Sequence, residues 1–138
     1  MGTIEKITNI VNWWGKLPPD FTGLNDVMHA RQELSAFSFV LATDMAVARN
    51  SWGVAQSELE KKKNQLRVKF EKDNGVTKAD YQARANTSEL FEMEKKFEAM
   101  YFGIKHQYDA ITQVLDAMAQ RIAILRREWE SKNFANGK

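Results

Sequence analysis

Apolar residues at the start of the chain follow the spacing of a helix. They recur in steps of three and four, at Ile4, Ile7, Val11 and Trp14. Such steps place side chains on one face of a helix. Gly15 and the pair Pro18-Pro19 follow, and two prolines cannot continue a helix. The pattern predicts a short amphipathic helix that ends in a hinge.

A second periodic stretch begins after the prolines and predicts a long helix from about residue 25 to 72. The sequence Asp73-Asn74-Gly75 should end it, with Gly75 in the left-handed conformation that closes many helices. Its apolar positions form one stripe: Val27, Leu34, Phe37, Leu41, Met45, Ala48, Trp52, Ala55, Leu59 and Leu66.

The third stretch predicts a short turn and then another long helix. Thr77 is the expected cap of a turn through Ala85, and Asn86-Thr87-Ser88 offers the next helix start. The steps of three and four that follow form a near-heptad seam, typical of helices that pack along their length. Its members are Leu90, Met93, Phe97, Tyr101, Ile104, Tyr108, Ile111, Leu115, Met118, Ile122, Leu125 and Trp129.

Two long helices with a tight connection predict an all-α fold, a long antiparallel helical hairpin plus the short N-terminal helix. We expect residues 1–19 to form that helix and its proline hinge, and residues 20–138 to form the hairpin domain. Two helices alone do not cover the apolar residues beside the seams, so we expect the hairpin to oligomerise through them. These surplus residues are Phe39, Val40, Val47, Phe91, Phe102 and Ile124.

Composition narrows the class of protein. With 138 residues, 43% of them apolar and 28% charged, the chain suits one globular domain. Cysteine is absent, which removes disulfides, thiolate metal sites and cysteine nucleophiles. No run of about 18 apolar residues or export signal is evident. We expect a soluble, cytoplasmic protein that makes no membrane contact.

Catalytic and metal-binding patterns are missing from the sequence. His29 and His106 are the only histidines, and Gly103 stands where a second acid would be needed to repeat the spacing of Asp26 and His29. The sequence also lacks the phosphate-binding loop G-x-x-x-x-G-K-[ST], the nucleophile-elbow motif G-x-S-x-G and the dinucleotide-binding motif G-x-G-x-x-G. We therefore expect no enzyme activity, no metal and no cofactor.

Positive charge is concentrated in one segment, although the net charge is only +2. Residues 60–72, EKKKNQLRVKFEK, carry six basic residues against two acidic ones, and residues 121–138 carry five against two. Clustered lysine and arginine suit the phosphates of a nucleic acid, whereas a solvated helix face is the ordinary alternative. The basic residues of the segment are Lys61, Lys62, Lys63, Arg67, Lys69 and Lys72.

Spacing and neighbouring aromatic residues favour a single strand as the ligand. On a helix Lys62, Lys63, Arg67 and Lys69 fall within two adjacent turns, which predicts a coherent basic strip. Phe70 or a tryptophan offers a stacking platform for an unstacked base. Trp52 and Trp129 occupy seam positions, which favours core or subunit contacts for both.

Two segments resemble the UvsY recombination mediators of T-even-type phages. LRVKFEKDNG, in which apolar and basic residues alternate before a glycine turn, is similar to the basic motif of that family. LDAMAQR, a basic helical stretch and a terminal FANGK are similar to the family's ending. The resemblance covers most of residues 25–138 and is weakest over the N-terminal helix with Trp13-Trp14.

The resemblance implies an all-helical protein that assembles into a ring-like homo-oligomer and binds single-stranded DNA. It also implies a mediator that helps load a RecA-like recombinase onto strands covered by single-strand-binding protein. The family's basic pair corresponds to Arg67 and Lys69, and its C-terminal region serves assembly. The seam residues that fit this assembly role are Leu115, Met118, Ile122, Leu125 and Trp129.

Two other functions fit parts of the pattern. A helical structural or assembly protein, such as a coiled-coil adaptor or scaffold, would share the heptads and the oligomer without binding nucleic acid. A small helical inhibitor of a host nucleic-acid enzyme is a further alternative.

Overall fold

The described chain is all α-helical, as predicted, and contains no strand in residues 2–136. The computed structural model describes those residues, apart from the side chains at 73, 74, 135 and 136. Met1, and the Gly137-Lys138 end of FANGK, lie outside them. The helices are α1 (Thr3–Gly15), α2 (Leu24–Asn74), α3 (Val76–Ala85) and α4 (Ser88–Asn136).

Helix boundaries agree with the periodic pattern at most ends. Helix α1 ends at Gly15, and α2 begins and ends within two residues of the predicted limits. The predicted turn is a helix of ten residues, α3, and Thr77 is not its cap. Helix α3 begins one residue before Thr77, and Gly75 precedes it without a side-chain cap.

Gly75 separates α2 from α3 in a backbone conformation that few residues other than glycine adopt. Its φ is 81°, positive as predicted, but its ψ of 168° is extended and not that of a left-handed helix. A side chain would strain this conformation, since Cβ crowds the backbone there. Glycine at this position therefore allows α2 to end and α3 to begin with a single residue between them.

The chain divides into two compact units. Unit 1 comprises the described residues up to Ala42 and from Gln107 onward, and unit 2 comprises Thr43–His106. Residues on both sides of the expected boundary between 19 and 20 belong to unit 1, and that boundary stays a prediction.

Unit 1 is built from α1, the first part of α2 and the last part of α4. The Arg31 Nε donates to the carbonyl oxygen of Leu115 at 3.3 Å. Arg121 donates from Nη2 to the carbonyls of Pro19 and Phe21, which ties the segment between α1 and α2 to α4. The core of this unit contains Val27, Ala30, Leu34, Leu41, Ile111, Met118, Ile122 and Leu125.

Unit 2 has a core of mostly small side chains. Its buried apolar residues are Ala48, Ala55, Leu59, Ala79 and Ala83. Glu94 is also buried, and one of its oxygens accepts a hydrogen bond from Trp52 Nε1 at 2.7 Å. A buried carboxylate needs such a donor, because leaving it unpaired costs free energy.

Apolar side chains predicted to lie beside the seams are exposed, as expected. Their exposed fractions range from 39% at Phe102 to 74% at Phe39, and the others are Val40, Val47, Phe91 and Ile124. Among the described residues no helix carries an apolar run long enough to cross a membrane.

Candidate nucleic-acid interface

The basic residues of the segment 60–72 lie on the last turns of α2, in unit 2. Lys61, Lys62, Arg67, Lys69 and Lys72 are exposed. The Lys63 side chain is 30% exposed and lies 3.5 Å from Glu60 Oε1. The uninterrupted helix thus keeps this charge on the surface.

Helix geometry divides the basic residues over two faces, where a single strip was expected. Lys63 and Arg67 are four residues apart, so they share one face of α2. Lys62 and Lys69 are seven apart and share another face, since each residue advances about 100° around the axis. Leu66 and Phe70 lie between these faces and are half-buried.

Helix α3 adds an arginine and an aspartate beside Arg67. One oxygen of Asp80 lies 4.0 Å from Arg67 Nη1, and the other lies 3.3 Å from Arg84 Nε. Arg67 also donates from Nη2 to the side-chain oxygen of Asn64 at 2.6 Å. Arg67 is therefore held in place, with 46% of its side chain still exposed.

A pocket of about 320 Å³ opens beside Lys63 and is called the Phe91 pocket below. It combines a buried apolar residue, an exposed aromatic ring and two basic side chains. The residues that line it are Leu59, Lys63, Arg84, Thr87, Ser88 and Phe91. Thr87 lies in the wall of the pocket, and its hydroxyl donates a hydrogen bond to the carbonyl oxygen of Ala83 at 2.9 Å.

A third basic side chain lies over the Phe91 ring. Lys95 Nζ is 5.5 Å from the ring centroid and 3.1 Å from Glu98 Oε2. The hydrogen bond to Glu98 raises the pKa of Lys95 above its ordinary value, and the charges of Glu98 and Glu94 act in the same direction. Lys95 therefore remains positively charged at neutral pH.

Phe70, offered as a stacking platform, and Trp52, expected to pack at the seam, have different surroundings. Phe70 is half-buried on α2. Trp52 donates a hydrogen bond from Nε1 to Glu94. The Arg49 guanidinium lies over the Trp52 ring, 4.5 Å from the ring centroid. Tyr101 and Phe102 pack against Trp52 at centroid distances of 5.6 and 5.5 Å, which gives the tryptophan the packing role that its seam position favoured.

The five predicted assembly residues belong to α4 in unit 1. Met118, Ile122 and Leu125 are buried within the chain, and Leu115 is half-buried. These four contribute to the packing of the single chain. Trp129 differs, since 61% of it is exposed, and it is the member of the set most available to another subunit. Their role in assembly stays a prediction.

Histidine and acidic residues do not converge on a metal site in the described part of the chain. His29 lies 3.0 Å from Glu33, one turn along α2. His106 lies near Phe102, with 6.4 Å between ring centroids.

Sequence reasoning did not place three residues next to the basic segment: Asp80, Arg84 and Phe91, the last of which it assigned to the surplus apolar surface. Asp80 and Arg84 are on α3, and Phe91 is in the first turn of α4. Their separation from Lys63 and Arg67 along the chain hides the contact. The available signal was the tight Gly75 connection, which folds α3 back toward the end of α2.

Comparison with protein-family models, curated proteins and solved structures finds no match to this chain.

Proposed function

We propose that the protein is a recombination mediator without enzyme activity. It binds single-stranded DNA and helps load a RecA-like recombinase onto strands covered by single-strand-binding protein. The supporting observation is the exposed basic surface at the end of α2, where Lys61, Lys62, Lys69 and Lys72 project from a continuous helix and Arg67 is held beside α3. The resemblance of LRVKFEKDNG to the UvsY basic motif supplies the recombination context.

In this proposal α2 and α4 form a long antiparallel hairpin, and several hairpins assemble into a ring-like homo-oligomer. Exposed apolar side chains support assembly, because Val47 and Val54 share one side of α2 at a spacing of seven residues and are 62% and 50% exposed. One basic surface carries few charges and binds weakly. Several surfaces linked in one oligomer bind a strand with much greater avidity, since the later contacts are intramolecular.

The proposal is tested by replacing Arg67 and Lys69 with alanine. Labelled single-stranded DNA is titrated with the wild type and the double variant at several salt concentrations. Each lost phosphate contact lowers the slope of log K against log salt by about 0.7 for a single strand, so the double variant should lose about 1.4 per protomer engaged. A Lys6→Ala, Lys16→Ala variant removes the same charge from the α1 region and serves as the control.

Affinity and salt slope that stay at wild-type values in the Arg67, Lys69 variant would exclude these residues as DNA contacts. Recombinase loading is measured separately, as the rate of recombinase filament formation on strands already covered by single-strand-binding protein. The wild type should shorten the delay before filaments form, and the double variant should not.

A helical assembly protein is the second candidate function. The observation that favours it is that Lys63 pairs with Glu60 and Arg67 contacts Asn64, contacts that any solvated helix face makes. An adaptor or scaffold of this kind would form the same oligomer and show no salt-dependent binding to single strands.

A further inference from the structure

The Phe91 pocket combines three features that a nucleotide needs from a protein. Leu59 and Phe91 supply apolar surface, and the Phe91 ring is 50% exposed. Lys63 and Arg84 place positive charge at the same opening. A volume of about 320 Å³ lies at the lower end of the range of about 300–1,000 Å³ that small-molecule sites occupy.

Charge at the pocket favours an anionic ligand. Arg84 keeps 70% of its side chain exposed although Nε lies 3.3 Å from Asp80. A guanidinium offers five N–H donors, so an ion pair through Nε leaves the terminal nitrogens to bind a phosphate. Lys63 lies on the face of α2 that also carries Arg67, which connects the pocket to the basic surface.

The aromatic ring distinguishes a nucleotide from a simple anion. A phenylalanine face is a stacking platform for any base that is not already stacked in a duplex. Lys95 lies over the Phe91 ring, so a base would occupy the face that Lys95 leaves open. A base in a double helix is stacked on its neighbours and cannot reach such a ring without unstacking.

We propose that the Phe91 pocket receives one nucleotide of a bound single strand, with the base stacked on Phe91 and its phosphate at Lys63 and Arg84. This inference rests on the proposed function, because the strand must already follow the basic surface of α2. Such a pocket would give the protein a preference for single strands over duplex DNA, which basic residues alone do not provide.

The test compares two labelled strands with the same number of phosphates, an oligothymidine and a fully abasic strand. Wild-type protein should bind the thymine strand about tenfold more tightly, the effect expected when one base stacks on an aromatic ring. Phe91→Leu keeps apolar volume but removes the ring, and should bring the ratio of the two affinities close to one. Phe91→Tyr keeps the ring and should preserve the ratio.

Two further variants complete the experiment. Phe102→Leu alters another exposed ring of unit 2, 39% exposed and outside the pocket, and should leave the ratio unchanged. Arg84→Gln should lower the salt slope for both strands by about 0.7 per protomer engaged. Circular dichroism and thermal unfolding verify that each variant is folded.

The outcomes separate the two proposals. Binding of the thymine strand with the same ratio in wild type and Phe91→Leu would overturn the pocket assignment and leave the basic surface standing. Equal loss in Phe91→Leu and Phe102→Leu would also overturn it. No salt-dependent binding of either strand to the wild type would overturn the proposed function and the pocket together.

Discussion

Asp80 lies between two arginines of the candidate interface. Its two carboxylate oxygens face Arg67 and Arg84, at 4.0 and 3.3 Å. The carboxylate orients both guanidinium groups, but its charge also lowers the positive potential that a phosphate would meet. These two effects have opposite signs for DNA binding, and their sizes decide the outcome.

Charge should dominate at Asp80, because all three side chains are between 40% and 70% exposed and such pairs contribute little to stability. Replacing Asp80 with asparagine should tighten binding of single-stranded DNA by about two- to fivefold, equivalent to roughly 0.4–1 kcal/mol. The measurement is a fluorescence-anisotropy titration at low salt.

Asp44→Asn is the matched control for Asp80→Asn. Asp44 is an exposed carboxylate on the part of α2 that belongs to unit 2, so its replacement changes the net charge by the same amount. Equal tightening in both variants would attribute the effect to net charge. Weaker binding in Asp80→Asn would mean that the aspartate acts mainly by positioning the arginines.

At the scale of helices, the junction at Gly75 is a local constraint, since Gly75 is the one residue with a positive φ in the part of the chain that the structure describes. Its φ of 81° with ψ of 168° suits glycine and strains any residue with a Cβ. Gly75→Ala should destabilise the protein by about 1–3 kcal/mol, the usual cost of such a backbone conformation. Chemical denaturation followed by circular dichroism measures the change.

Gly103→Ala is a control in which the free energy of unfolding should change in the opposite direction. Gly103 lies inside α4, and an added Cβ there would meet no atom within 4 Å. Alanine in a helix interior is favoured over glycine by about 0.5–1 kcal/mol, so this variant should gain stability. A Gly75→Ala protein as stable as the wild type would show that the junction adopts another conformation in solution.

Much of the helical architecture follows from periodicity alone. Steps of three and four located α2 and α4 to within about two residues at most ends, and Gly15 and Gly75 marked two of the limits. The start of α3 was predicted less well, because Thr77 looked like a cap while glycine conformation sets that start. Side-chain preference is a weaker signal than backbone restriction at such a junction.

The candidate interface was only partly predictable. Local sequence shows that residues 60–72 are basic, and a helix keeps most of them exposed. It does not show that Asp80 and Arg84 lie beside Arg67, because that depends on how α3 folds back on α2. The pocket lined by Lys63 and Phe91 likewise requires residues from separate helices.

At the scale of the whole molecule, charge and apolar surface have to be considered together. A net charge of +2 gives little long-range attraction to DNA, so binding depends on the local basic segment. Exposed apolar side chains, including Val47, Val54 and Trp129, provide surface for association. Assembly would then bring several local segments to one strand, which a single chain cannot do.

Trp129 is the predicted assembly residue whose replacement should disturb the single chain least, because it is 61% exposed while Met118, Ile122 and Leu125 are buried. Trp129→Ser should weaken self-association, since a large ring buried between subunits contributes on the order of 2 kcal/mol or more. Light scattering over a range of concentrations measures the molar mass. Tyr81→Ser, at a ring that is 75% exposed and off the predicted seam, is the control.

Loss of assembly should change DNA binding in a way that depends on strand length. A dissociated Trp129→Ser protein should bind a short oligonucleotide with wild-type affinity per protomer, because the basic segment and the Phe91 pocket belong to unit 2 and are unchanged. Its affinity for a long strand should fall by at least tenfold, because avidity from linked protomers is lost. A monomeric variant that still binds long strands as tightly as the wild type would separate assembly from DNA binding.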